Sequence, residues 1–364
     1  MENSTGINQK WAEEMADVNY APFSKENVII DPEWELYLSP PPLFPVNPNF
    51  KSNEPLNIKT LSDLISVIKT GKGSQNYNWI KLLKALPALE KLETMIGMKI
   101  LKSQIVKLAI SCSSWETSLF EKRKNHHFVI YGGPGCGKTE ASKILASLYY
   151  AFGIVPKDKI SIVGREDIIA EYVGQSEVKT KKLLDASLGG VIVFEEIYSL
   201  THKEGASDSF ASSIINVINR FLSEREEEFV CGFIGHRDKM ETLWKSEPGL
   251  RRRFSTFFDV EDYTEGDLYL IFRKMLPSQW KISDEQDKKI KSWFSSNFSK
   301  FSFFGGDVKN LVPEIEASSR NRRFGTDLPP EISIEDVIEA SSQYFGNRKL
   351  NGENKIDHTS SYFM

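Results

Sequence analysis

Gly132-Gly133-Pro134-Gly135-Cys136-Gly137-Lys138-Thr139 fits the spacing G-x4-G-K-[ST]. Glycines at these positions let a loop curl so that backbone N–H groups converge on phosphate oxygens. The residues that follow, with Glu140 in the first turn, predict a helix from Thr139 to about Gly153 whose positive end points at the same place. Lys138 would neutralise charge on the β- and γ-phosphates, and the Thr139 hydroxyl would ligate Mg2+. ATP with Mg2+ is the ligand so implied.

A second stretch, Val191-Ile192-Val193-Phe194-Glu195-Glu196, is an apolar strand running into two carboxylates. The first would hold Mg2+ through water, and the second would polarise an attacking water as general base. The first position is usually Asp in such motifs. Glu195 is one methylene longer, so the metal shell must adjust to it. The base position, Glu196, keeps its glutamate.

The elements around these residues alternate. Phe128-Val129-Ile130-Tyr131 predicts a strand directly before the glycine loop. KISIVG, GVIVF and EFVCGFIG predict further strands, and EVKTKKLLDASL and SDSFASSIINVINRFLSE predict helices between them. Alternation of this kind predicts a parallel sheet covered by helices on both faces. Upstream, helical patterning begins near Thr60, breaks at Gly71-Lys72-Gly73-Ser74, and resumes in NWIKLLKALPALEKLETMIG. MKILKSQIVKLAISCSSWETSLFEKR reads as one long amphipathic helix with Leu101, Ile105, Leu108 and Ala109 on one face. After about residue 262 the strand signals stop, and GDLYLIFRKML, DEQDKKIKSWFSSNF, DVKNLVPEIEASSR and SIEDVIEASSQYF read as a smaller helical unit.

The first 55 or so residues carry Pro40, Pro41, Pro42, Pro45 and Pro48, which support neither a helix nor a central strand. Trp34, Tyr37 and Phe44 are interleaved there, so the segment reads as an arm, a docking segment or an unstructured leader. From Asn347 the chain is polar and reads as a mobile tail. The expected organisation is an extension over 1–75, a nucleotide-binding core over 76–262, a helical lid over 263–346 and the tail over 347–364.

A net charge of −4 offers no global positive field for nucleic acid or an anionic membrane. No run approaches the ~18 apolar residues needed to span a bilayer. The N-terminus lacks a secretory pattern, and Cys112, Cys136 and Cys231 have neither disulfide-framework nor metal-ligand spacing. The expectation is a soluble intracellular protein with reduced thiols, in a cytoplasm, or in a host cytoplasm or virion if viral.

The stretches HFVIYGGPGCGKTEASKILASLYYAFGIV, EYVGQSEVKTKKLLDASLGGVIVFEEIYSL, FVCGFIGHRDKM and SEPGLRRRF resemble the CbbX/CfxQ and SpoVK group of AAA+ ATPases. The likeness runs from about Leu89 to Asp262 and continues more weakly beyond. The GGDV lid motif followed by an Arg pair is similar to CfxQ-like ATPases of large DNA viruses. The resemblance implies an α/β fold: a five-stranded parallel P-loop NTPase (AAA+) core with a C-terminal α-helical lid. It also implies assembly of identical chains into a ring, expected to be a hexamer, that threads or remodels a protein client.

It assigns further residues. Tyr172-Val173-Gly174 would be a pore loop gripping an extended polypeptide, although Tyr172 also reads as a packed core aromatic. His202-Lys203-Glu204 would be a second pore loop or a charged turn. Arg253, with Arg251 next, would reach the γ-phosphate held by a neighbouring subunit. Ile96-Gly97-Met98 would pack on adenine. Two positions depart from the group's pattern. His236 stands where a polar sensor is usually Asn. Gly305-Gly306-Asp307 replaces a segment that normally brings an arginine, so Asp307 would repel phosphate and Lys309 would in part replace the missing cation. Arg320, Arg322 and Arg323 would face the nucleotide, a neighbouring subunit or solvent, with solvent or an interface favoured. The departures at Glu195 and at Gly305-Gly306-Asp307 keep a second reading open, a nucleotide-dependent scaffold that hydrolyses weakly. A nucleic-acid-acting ATPase is a third, against which the acidic balance argues.

Overall fold

The computed structural model describes residues 56–71, 77–114, 126–170, 175–200 and 209–350. The arm before residue 56, both suggested pore loops (Glu171–Gly174 and His202–Glu204) and residues 351–364 lie outside the described residues.

Helix α1 (Leu61–Thr70) starts at a reciprocal cap in which Thr60 and Asp63 exchange side-chain and backbone hydrogen bonds, and ends at Gly71 with φ of 61°. It falls within the suggested extension, yet Leu61, Leu64 and Ile68 are buried in the main apolar cluster. Helices α2 (Trp79–Thr94) and α3 (Lys99–Ser113) follow. The long helix expected to run to Arg123 stops at Ser113. Ser114 turns to an extended conformation and bridges to Tyr77, in a serine-rich run that holds a helix poorly.

The sheet contains β1 (Phe128–Gly132), β2 (Ile160–Val163), β3 (Val191–Glu195), β4 (Val230–Gly235) and β5 (Thr256–Val260). Their order is β2-β3-β4-β1-β5, and every pairing is parallel. Side chains alternate between faces, so each strand divides its residues between two cores. Phe128, Ile130, Val191, Val193, Val230 and Ile234 join α2, α3 and α4 (Lys138–Ala151) on one face. Val129, Tyr131, Ile192, Phe194, Cys231 and Phe233 join the other. That face also receives α6 (Gln175–Ala186), which follows the short α5 (Arg165–Ile168), then α7 (Ser209–Glu224) and α8 (Arg237–Ser246). Burial on both faces explains the unbroken apolar runs of β1, β3 and β4. The edge strand β5, entered from the short α9 (Pro248–Arg251), is fully buried only at Phe258 and Val260, so it lacks such a run.

Four helices follow: α10 (Glu265–Met275), α11 (Asp284–Ser296), α12 (Phe304–Arg322) and α13 (Ile334–Leu350). Helix α13 continues past the expected start of a polar tail because Arg348 Nη1 lies 2.7 Å from Asp307 Oδ1 on α12. Among the described residues no helix is long and apolar enough to cross a membrane.

At the far end of β1 from the glycine loop, His127 is wholly buried and its Nδ1 accepts the Cys231 N–H at 3.1 Å. Burial, then the neighbouring His126 and Arg253, push its pKa down to about 3. The ring therefore stays neutral in the fold and protonates in the unfolded chain below about pH 6.5. The stabilisation is complete above that pH and is lost on acidification, by about 1.4 kcal/mol per unit until the folded value is reached. Urea melts at pH 7 and 5.5 should show wild type losing roughly 1 kcal/mol more than His127→Asn. Equal losses would contradict the assignment.

Candidate nucleotide site

Parallel pairing aligns the C-terminal ends of β1, β3 and β4. Tyr131 is level with Gly235, and Ile234 with Glu195. The residues leaving these strands therefore meet at one edge, where ligands bind in open α/β sheets. A cavity of about 810 Å3 opens there, between the sheet edge and the helical unit.

The glycine loop forms its floor. Lys138 Nζ donates to the carbonyls of Gly132 at 3.1 Å and Gly133 at 2.6 Å, which holds the ammonium at the head of the loop. Pro134, Gly135, Gly137, Lys138, Thr139 and Glu140 face the cavity. Gly132, Gly133 and Cys136 do not line it. The Cys136 thiol is buried, lies 3.0 Å from the Gly133 carbonyl, and is raised to about 11 chiefly by burial, so it stays protonated and packs beneath the loop.

The two residues of the acidic pair take different directions. The Thr139 hydroxyl donates to Glu195 Oε1, so the longer carboxylate spans the gap between β3 and the loop helix. Among the described residues no cluster of three His, Cys, Asp or Glu could hold a metal. One hydroxyl and one carboxylate instead suit Mg2+, which keeps several waters and completes its shell with phosphate oxygens. Glu196 turns away at a left-handed φ of 51°, with its N–H on the Ile234 carbonyl at 3.0 Å. Its pKa is raised, first by burial, while Lys138 and Lys239 oppose the shift. His236 Nε2 lies 3.9 Å from Glu196 Oε1. Burial, with Lys138 and Lys239, brings His236 down to about 4, so at neutral pH it is an uncharged hydrogen-bonding ring.

The opposite wall was less visible in the sequence. Ile96 lines it, whereas Gly97, with φ of 68°, packs behind on Tyr263. Met95, Tyr263, Ile271 and Met275 add apolar surface suited to a base. Ile271 and Met275 are one helical turn apart on α10, a spacing that could have flagged them. Lys274 also faces the cavity, with its ammonium on the Thr94 carbonyl at 2.6 Å.

At the lid, Gly305 and Gly306 touch the glycine loop. A Cβ at Gly135, where φ is 67°, would fall 1.9 Å from the Phe303 carbonyl, and one at Gly305 would fall 3.1 Å from the Gly135 carbonyl. Lid and loop meet there through backbone rather than side chains. Asp307 does not repel phosphate, contrary to expectation. It is 1% exposed and faces α13, accepting from Arg348, from the Tyr344 hydroxyl at 3.0 Å and from the Phe303 N–H at 2.8 Å. Lys309 is the cation that α12 presents to the cavity.

The three arginines sit elsewhere. Ser255 N–H donates to the His127 carbonyl at 3.1 Å, placing the approach to β5 beside the N-terminal end of β1. Arg251 is committed to packing, its guanidinium 3.9 Å from the Phe257 ring centroid. Arg252 is exposed, and Arg253 is partly exposed with a buried Nε that lacks a hydrogen-bond partner. Arg322 pairs with Asp336 of α13, and Arg320 and Arg323 flank Trp280, so this later cluster is built into the lid.

The model of the ATPase family associated with various cellular activities (AAA) matches residues 128–262, the span that contains the whole sheet. A CfxQ-like protein of Acanthamoeba polyphaga mimivirus is 30% identical over 327 residues, covering 86% of this chain and 79% of that protein. The chain belongs to the CfxQ-like AAA ATPases. The chloroplastic ribulose bisphosphate carboxylase/oxygenase activase of Cyanidioschyzon merolae is 26% identical over 238 residues, 64% of this chain and 81% of its own length. CbbX of Cereibacter sphaeroides is 25% identical over 275 residues, 72% and 89%. Nucleotide binding and a protein-remodelling role come with this CfxQ-like membership.

Proposed function

We propose that this CfxQ-like chain hydrolyses ATP at sites completed between neighbouring copies in a ring, a hexamer, and uses the turnover to remodel a protein client. The convergence of Lys138, Thr139, Glu195, Glu196 and His236 on one cavity carries the reading. Glu196 takes the proton of a water as its oxygen attacks the γ-phosphorus, and ADP and phosphate leave. Lys138 and the loop N–H groups hold the phosphates, and His236 donates a hydrogen bond to the water or the phosphoryl oxygens. Thr139 and, through water, Glu195 would hold Mg2+, which would supply neutralisation of phosphate charge.

The position of Arg253 supports the ring. The glycine loop leaves one end of β1 and Arg253 lies by the other, a separation of about five strand residues or roughly 16 Å. An arginine so placed serves a second copy's phosphate rather than its own. The activase relative supports a protein client, and Tyr172-Val173-Gly174 is the segment we propose to grip it.

Phosphate release by the full chain tests the proposal. Turnover is expected with Mg2+, falling to background on chelation and returning when Mg2+ is restored. ATP bound with Mg2+ but not hydrolysed at any protein concentration would favour the nucleotide-dependent scaffold instead.

A further inference from the structure

The residue two places after the general base enters the site without lining it. Tyr198 sits in the 3-10 turn Ile197–Leu200 that follows β3, is 2% exposed, and donates its phenol hydroxyl to Glu196 Oε2. The Tyr198 phenol oxygen in turn accepts the backbone N–H of His236 at 3.4 Å. The ring is held by close packing: a Cβ at Gly235 would fall 2.6 Å from Tyr198 Cε1, and Lys239 Nζ lies 5.3 Å from the ring centroid.

We infer that Tyr198 is a positioning residue for hydrolysis, its hydroxyl anchoring one oxygen of Glu196 so that the other is presented to the cavity. This rests on Glu196 acting as the base. A glutamate has three side-chain torsions, and at a half-exposed position it samples several rotamers. Its backbone is pinned by the Ile234 carbonyl, but that bond does not orient the carboxylate. With Oε2 held by the phenol, Oε1 faces His236 across 3.9 Å, on the side where the cavity opens. Correct placement of a reacting group is worth orders of magnitude in rate, and a shift of about 1 Å can cost 100-fold. Because Tyr198 lies outside the cavity wall, its removal should act on the chemical step and leave ATP binding alone.

The hydroxyl also joins two segments. Its second partner, His236, is the residue from which α8 starts, and α8 leads through α9 toward Arg253.

The test measures kcat, ATP affinity and thermal melting of the full chain for four proteins: wild type, Tyr198→Phe, Gly235→Ala and Glu196→Gln. Tyr198→Phe keeps the ring and removes only the hydroxyl. Gly235→Ala keeps the hydroxyl and displaces the ring. Both are expected to lower kcat at least fivefold with ATP affinity within twofold of wild type. Adding Tyr198→Phe to Glu196→Gln should cost nothing further in single-turnover hydrolysis, because the hydroxyl would act only through that carboxylate. The proposal is overturned if Tyr198→Phe has wild-type or higher kcat, if ATP affinity falls in step with kcat, or if the double variant is slower than Glu196→Gln. Undiminished turnover in Glu196→Gln would instead sink the base assignment on which the proposal stands.

Discussion

Glu196→Gln is expected to bind ATP at least as well as wild type and to turn it over at least ~100-fold more slowly, the low end of what a general base contributes. The substitution preserves shape. The left-handed backbone at φ of 51° and the N–H on Ile234 are independent of the carboxylate's charge. Loss of the basic oxygen is therefore the only large change at the attacking water. Removing a negative charge near the polyphosphate should also strengthen binding, since Glu195 remains beside Thr139. Phosphate release and equilibrium binding of a fluorescent ATP analogue separate the two effects. Turnover within about fivefold of wild type would remove Glu196 from the base role.

The second large effect concerns Arg253. Arg253→Ala should reduce turnover of the assembled protein by ~100-fold or more, as expected for an arginine that stabilises a transferring phosphoryl group. ATP affinity per chain should hold, because the residue lies at the opposite end of β1 from the nucleotide cavity. Arg251→Ala is a contrasting case. Its guanidinium rests on Phe257, so the variant should lose stability before it loses chemistry. Melting curves taken beside turnover tell the two apart.

The parts of the site legible in the sequence are those whose geometry is local. The loop from Gly132 to Thr139 is one contiguous curl, and Glu195-Glu196 end a strand marked by its own apolar run. Parts that depend on a distant partner were not legible. The direction of Asp307 is decided by Arg348, 41 residues later, and a carboxylate that seems aimed at phosphate is in fact turned into the lid. Arg251, Arg252 and Arg253 are indistinguishable as a string and separate only once Phe257 covers one of them. Tyr263 and the α10 face enter the cavity because the lid folds back over the loop, a contact made by the backbone at Gly135 and Phe303. The edge strand β5 carries no long apolar run, because it buries only alternate residues at the sheet's margin. In each case, long-range packing rather than local propensity decides the outcome.

We propose that one catalytic site is assembled from two copies of the chain. Mixing Glu196→Gln with Arg253→Ala tests it most directly. Each variant alone lacks one component at every interface. In a mixed ring, an Arg253→Ala chain offers its intact Glu196 to the intact Arg253 of a Glu196→Gln neighbour. Random assembly with independent sites should restore about a quarter of wild-type turnover, rising with total protein concentration. A mixture no more active than its components, together with wild-type turnover per chain that is unchanged on dilution to monomer, would contradict a site shared between subunits.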